Sequence, residues 1–244
     1  MKTAKIMIAA ILMAGCTSAQ ATVTDFTPAE EPEVLTTAAE PEAEEKTAPE
    51  YEYYDAYAQM EGEVYTAESI FTFLHSDDKD YMYEQAENIV IGHVISIDRG
   101  SNWNEIGEDY CYPYTLGKFV VLKSLKGDLE EDVIYQYGRT GGYVTAEEHY
   151  ASRKEEGDKL QRMTGTNPDY IGQFPAESPR IEVGKTYLMY IIDASGVKDT
   201  CAILSGKGGL RETDELFPED YTQVKVMNGF TEEWESLADV VPGL

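Results

Sequence analysis

The run Ile89-Val90-Ile91-Gly92-His93-Val94-Ile95-Ser96-Ile97 constrains this chain more than any other stretch. β-branched side chains lose rotamer freedom in a helix and fit a pleated surface, so the run predicts the start of a long strand. Gly92 inside it predicts a bend or bulge. Four similar stretches follow. They are 114–125 with Phe119-Val120-Val121-Leu122 at its centre, 133–137, 185–193 and 200–204. Lys126-Gly127-Asp128 reads as the turn after the second strand, and 99–113 as a loop after the first. The fold class expected is all-β to α+β, with five strands and peripheral helices.

Helices are expected over 67–74, with Ile70, Phe71, Phe73 and Leu74 on a buried face, and over 81–86. A third is expected over 231–241, with Thr231 as N-cap and Glu232 and Glu233 in its first turn. An insertion separates the third strand from the fourth. Within it Thr145-Ala146-Glu147-Glu148 has capping-box spacing and predicts a helix running to Glu156, in a helical insertion near 145–165.

The N-terminus reads as an export signal. Lys2 and Lys5 precede the apolar stretch 6–13, too short for a membrane span, and the small residues Ala14 and Gly15 precede Cys16. The ending Met13-Ala14-Gly15-Cys16 resembles the lipobox of bacterial lipoproteins. That resemblance implies a signal peptide over 1–15, acylation of Cys16, and an extracytoplasmic chain anchored to a bacterial membrane. Residues 16–60 are rich in Thr, Ala, Pro and Glu, as in Pro28-Ala29-Glu30-Glu31-Pro32-Glu33. They bury too little apolar surface to offset ordering entropy, so an acidic disordered tether is expected, ending in a solvated or loosely held Tyr51-Glu52-Tyr53-Tyr54-Asp55-Ala56-Tyr57. The folded domain is expected over 61–244.

Charge excludes some partners. The chain has 46 acidic and 19 basic residues, a formal net charge of −27. Nucleic-acid affinity comes from Lys and Arg displacing counterions, so no nucleic-acid partner is expected. Anionic head groups are repelled for the same reason, leaving the lipid anchor as the membrane contact. Beyond Cys16 the cysteines are Cys111 and Cys201. Export permits a disulfide between them, worth about 4 kcal/mol in loop entropy, and two separate thiols is the other reading.

The strands meet a known pattern. Glu87-Asn88-Ile89-Val90-Ile91-Gly92-His93-Val94 resembles the opening of a bacterial extracytoplasmic OB-fold domain. Phe119-Val120-Val121-Leu122-Lys123-Ser124-Leu125-Lys126-Gly127-Asp128 resembles its hairpin. Gly141-Gly142 and Val183-Gly184-Lys185-Thr186-Tyr187-Leu188-Met189-Tyr190 resemble its later elements. The family is similar to the netrin-like domain of tissue inhibitors of metalloproteases. The resemblance covers about 88–210 and implies a five-stranded OB-like barrel. Its motifs are turn and core residues without chemistry. Those inhibitors place a free N-terminal cysteine amine on the target's zinc; an acylated Cys16 at the end of a tether cannot do so.

No motif points to catalysis, a cofactor or a metal. Gly184-Lys185-Thr186 lacks the earlier glycine of a phosphate loop, since position 179 is Pro. Ser195-Gly196-Val197-Lys198 has the spacing of penicillin-recognising enzymes but lies in a turn and lacks their accessory motifs. His75, His93 and His149 have no ligand spacing, and His93 is expected to be a partly exposed strand residue. The acidic clusters lack calcium-loop order.

The candidate binding surface is 99–113, with Trp103, Asn102, Asn104, Tyr110 and Tyr112, since aromatic rings beside amides suit peptide backbones and sugar faces. The other reading is that these rings cap the end of the barrel. The function expected is a non-catalytic binding or interaction module at the bacterial cell envelope, with an envelope protein, a peptide or a glycan as partner. A loop-mediated protease inhibitor is the second reading, and an envelope enzyme the third.

Overall fold

The computed structural model describes residues 50–70, 75–151, 167–176, 178–192 and 196–244. Cys16, the signal peptide and the tether as far as residue 49 lie outside them. The described fold is mostly β, and its centre is β3 (Asn88–Asn104), which antiparallel β4 (Asp109–Lys126) follows along its length. β5 (Ile134–Thr140) lies antiparallel on the far side of β4. β9 (Cys201–Ile203) runs parallel to β5 and antiparallel to β8 (Thr186–Ile192). β8 in turn pairs antiparallel with the first half of β3, from Asn88↔Ile191 to His93↔Thr186. The five strands therefore form a closed circuit of pairings. All five expected strands are present, each within a few residues of its expected core, but β3 and β4 run on through the expected loop 99–113. Only 105–108 separates them.

The sequence runs are apolar at both parities because both faces of these strands are covered. In β3, Val90 and Val94 join a cluster with Phe119, Tyr137, Tyr187 and Met189. Ile89 and Ile91 face the other way, joining Leu188 and Tyr190 beneath Met82 of α1 (Lys79–Gln85) and Leu237 of α3 (Leu237–Val240). The register slips between Ile91 and Gly92, where the bulge was expected. A Cβ at Gly92 would lie 2.8 Å from the Phe119 ring. Gly127, in the turn after β4, has φ +89°, and its absent side chain makes room for Asn88 Oδ1, which accepts from Asp128 N.

A second sheet comprises β2 (Val64–Ser69), β7 (Tyr170–Pro175) and β6 (Gly142–Thr145) in that order. β2 occupies the start of the expected helix 67–74; its parallel partner β7 is distant in sequence, and that pairing overrides local pattern. Residues 71–74 lie outside the described residues. The capping box is formed: Thr145 Oγ1 accepts from Glu148 N at the start of α2 (Ala146–Tyr150). The expected continuation to Glu156 lies outside the described residues from 152 onward.

The expected terminal helix is replaced by a hairpin. β11 (Lys225–Met227) pairs with β12 (Trp234–Ser236), Val226 is fully buried, and Asn228 Oδ1 closes the turn by accepting from Phe230 N and Thr231 N. Thr231 is thus a turn residue, and only α3 is helical. β10 (Leu210–Glu212) edges the main sheet beside β8.

Residues 51–60, expected to end the tether, are part of the folded body. β1 (Tyr54–Asp55) runs parallel to β3 at Ser96 and Ile97. The Tyr57 hydroxyl accepts from Tyr143 N and lies 3.0 Å from Thr115 Oγ1. Tyr51 and Tyr53 cover His93, which is fully buried and not the partly exposed residue expected. Thr186 Oγ1 gives its single proton to Leu216 O, so it accepts from His93 Nδ1 at 2.8 Å. His93 Nε2 then accepts from the Tyr53 hydroxyl at 2.9 Å.

Burial holds His93 neutral, pushing its pKa from 6.5 down to about 4. Between those values the unfolded chain binds a proton that the fold excludes. Stability is therefore complete above pH 6.5 and is lost as the pH falls toward 4. A chain starting at residue 50 should lose about 1–2 kcal/mol from this group between pH 6.5 and 5. A chain starting at residue 61, with His93 uncovered, should be less stable at both pH values and lose less than half as much. Urea titrations at the two pH values measure this; superimposable profiles would show that 50–60 does not cover His93.

Candidate functional site

The expected binding residues lie on the distal half of the β3–β4 hairpin. Trp103 pairs with Tyr110 across the strands, ring centroids 5.1 Å apart and edge to face. They are 40% and 41% exposed, and Ile106 at the tip is 64% exposed. A pair of this kind stabilises a hairpin by about 0.2–1 kcal/mol.

The two amides do structural work. Asn102 is buried and donates from Nδ2 to Glu148 O of α2 at 3.2 Å. Asn104 Oδ1 accepts from Ile106 N and Gly107 N, making the tight turn that reverses the chain. Ile106 N also donates to Gly196 O, so the tip is held from the side. Tyr114 donates from its hydroxyl to Trp103 O.

One flank of the hairpin walls a cavity of about 690 Å³. Asn104, Cys111, Tyr112 and Tyr114 form that flank; Tyr81, Met82 and Gln85 approach from α1; β5 and β9 supply the floor. The structure thus brings Asn104, Tyr112 and Cys111 of the expected set together, while Trp103 and Tyr110 are not among the residues that line the cavity. The Tyr112 phenol is pushed up by burial and hydrogen-bonded by Ser69. Burial and the neighbouring Asp109 push the Cys111 thiol up, so it is protonated near neutral pH. Cys111 is exposed, and Cys201 is half-buried at the start of β9.

Sequence reasoning missed Arg139. Its side chain is buried between this cavity and a second of about 340 Å³, and it lines both. Nε and Nη2 donate to Pro179 O, Nη2 donates to Ser178 Oγ, and Nη1 donates to Leu204 O. Burial pushes its pKa from 12.5 down to about 10, with Tyr187 and Tyr137 opposing, so it stays charged at neutral pH. Its partners among the described residues include no carboxylate. Parity was the available signal: Arg139 is two residues beyond fully buried Tyr137 in one strand and shares its face.

Among the described residues no three His, Cys, Asp or Glu side chains group as a metal site requires. His75 lies against Tyr81, His93 beneath Tyr53, and His149 at the end of α2, so no two converge. The site thus comprises an exposed aromatic pair, a partly apolar cavity and the buried Arg139 guanidinium.

Asn102→Ala should cost about 1–2 kcal/mol in urea unfolding, because it empties a buried position and removes the bond that ties β3 to Glu148 O. Trp103→Ala should cost no more than about 1 kcal/mol. The reverse order would place Trp103 in the core and remove it from the binding surface. Comparisons with protein-family models, curated proteins and solved structures return no match.

Proposed function

We propose that this chain is a lipid-anchored, extracytoplasmic binding module of a bacterial envelope that engages a protein or peptide partner along its β3–β4 hairpin. The observation that carries the reading is the ridge of Trp103, Ile106 and Tyr110. Three large apolar side chains are displayed together on a hairpin that is fixed at its tip by Gly196 O and along its length by Glu148 O. Aromatic anchors on a rigid element lose little entropy on binding, and such residues dominate interface energies.

An OB-like barrel is part of the same proposal. The circuit β3-β4-β5-β9-β8 and back to β3, with β5–β9 its one parallel pairing, supports that architecture, as does the bulge at Gly92. Binding through the hairpin after the first barrel strand agrees with how OB-folds commonly work. Among the described residues no helix is long and apolar enough to cross a membrane. The anchoring role of Cys16 rests on the lipobox resemblance.

The test is made in cells. A photocrosslinking residue at Ile106 should capture one envelope protein, and Trp103→Ala and Tyr110→Ala should each weaken binding to that protein by about 1–3 kcal/mol with little change in melting. Cys16→Ser should move chain and captured partner together from the membrane to the soluble fraction. Unchanged affinity in both ring variants would reject the hairpin as the binding element.

A further inference from the structure

We propose that the 690 Å³ cavity beneath the hairpin binds a small organic carboxylate with an apolar body, its carboxylate taken by Arg139 and Thr140. This rests on reading the hairpin as a binding element, because the same strands wall the cavity.

The first observation is an incomplete guanidinium. Arginine offers five N–H groups. Four are used: one on Nε, two on Nη2 and one on Nη1. The fifth, on Nη1, has no partner among the described residues. Nε and Nη2 reach Ser178 and Pro179, which line the smaller cavity; Nη1 reaches Leu204, which lines the larger. Arg139 itself lines the larger cavity, so the spare N–H belongs to a side chain of its wall.

The second observation is a hydroxyl relay beside it. Ser205 Oγ donates to Thr140 Oγ1 at 2.7 Å, and both residues line the larger cavity. Thr140 Oγ1 accepts there, so its own proton is available to a ligand. Two donor-bearing residues, one of them cationic, thus line the same cavity at the end of β5. Met82, Tyr112, Ile192 and Ile203 supply apolar and aromatic wall, beside the polar Ser76, Gln85 and Asn104. A few convergent polar groups in an otherwise apolar cavity of 300–1,000 Å³ is the usual form of a small-molecule site.

The sign of the ligand follows from charge. A buried cation held only by neutral acceptors gains most from an anion, and carboxylates suit the planar guanidinium. The formal charge of −27 opposes an anion at long range. That field is screened beyond about 8 Å at physiological ionic strength, whereas the guanidinium acts at contact distance. Free fatty or aromatic acids and peptide C-termini share this chemistry.

Cys111 reports occupancy, since it is exposed and lines the cavity. In the full chain carrying Cys16→Ser and Cys201→Ser it is the one remaining thiol. Alkylation by a maleimide is followed with octanoate, octanamide, and acetyl-Ala-Ala-Phe as acid and as amide. At least one acid should slow alkylation at a concentration about tenfold or more below its amide, as a charge-assisted hydrogen bond requires. Protection by octanoate identifies free acids as the class, and protection by the peptide acid alone identifies C-termini. Arg139→Met should abolish the preference of acid over amide. If that variant does not melt cooperatively, Thr140→Val replaces it and should weaken the acid severalfold while leaving the amide unchanged. Equal protection by acid and amide, or no protection by either at millimolar concentration, overturns the carboxylate site. Crosslinking at Ile106 that persists in that event leaves the hairpin reading standing, so the two failures are separable.

Discussion

The structure depends on β3 pairing on both sides. Over Asn88 to His93 it has β4 on one flank and β8 on the other, so its backbone groups are satisfied across two ladders. β8 ends its pairing at Thr186. Beyond that point Gly184 N donates to Val94 O, and β1 takes the flank at Ser96 and Ile97. The register slip at Gly92 and the further slips beyond it bend β3 enough to change partners without leaving β4. The Phe119 ring and the Met189 sulfur occupy the space a side chain at Gly92 would need.

The candidate site inherits its rigidity from that arrangement. Because β4 stays with β3 as far as Asn104↔Asp109, the aromatic ridge is an extension of the central ladder and not a separate loop. The cavity arises where the hairpin's flank, α1 and the β5–β9 floor meet beside the buried Arg139. A buried guanidinium bound to carbonyls and a hydroxyl ties β5 to the 178–179 segment and to the end of β9. The same side chain that fixes the floor provides the cavity's positive end.

The strand cores were legible because runs apolar at both parities report burial on both faces, as at 89–97 and 187–192. Local helix signals at both ends of the domain failed for one reason. The strand at 64–69 pairs with 170–175, and Val226 of the 225–236 hairpin packs with Met82, Ile89 and Leu188, all distant in sequence, which no local pattern contains. The reading of 99–113 as a loop followed its polar residues and Pro113. Yet Tyr110, Tyr112 and Tyr114 alternate with the period of a strand, a signal that was present and outweighed. Of the candidate residues, Trp103 and Tyr110 are exposed as a surface role requires, whereas Asn102 and Asn104 are spent on structure. Tyr51 to Tyr57 looked like tether because its composition continues the acidic run. Only the partners Thr115, Tyr143 and His93, all distant in sequence, show it to be a strap.

Native-state hydrogen exchange of the β3 and β8 amides tests the central claim most directly. If the circuit of pairings is closed, amides within Thr186–Ile192 and those of β3 from Ile89 to Val94 should exchange with the same free energy and denaturant dependence as those of β4, by global unfolding, while 105–108 exchange locally. Exchange of the β8 amides at a markedly lower free energy than those of β4 would show that the sheet opens between β3 and β8. The hairpin would then have no rigid base.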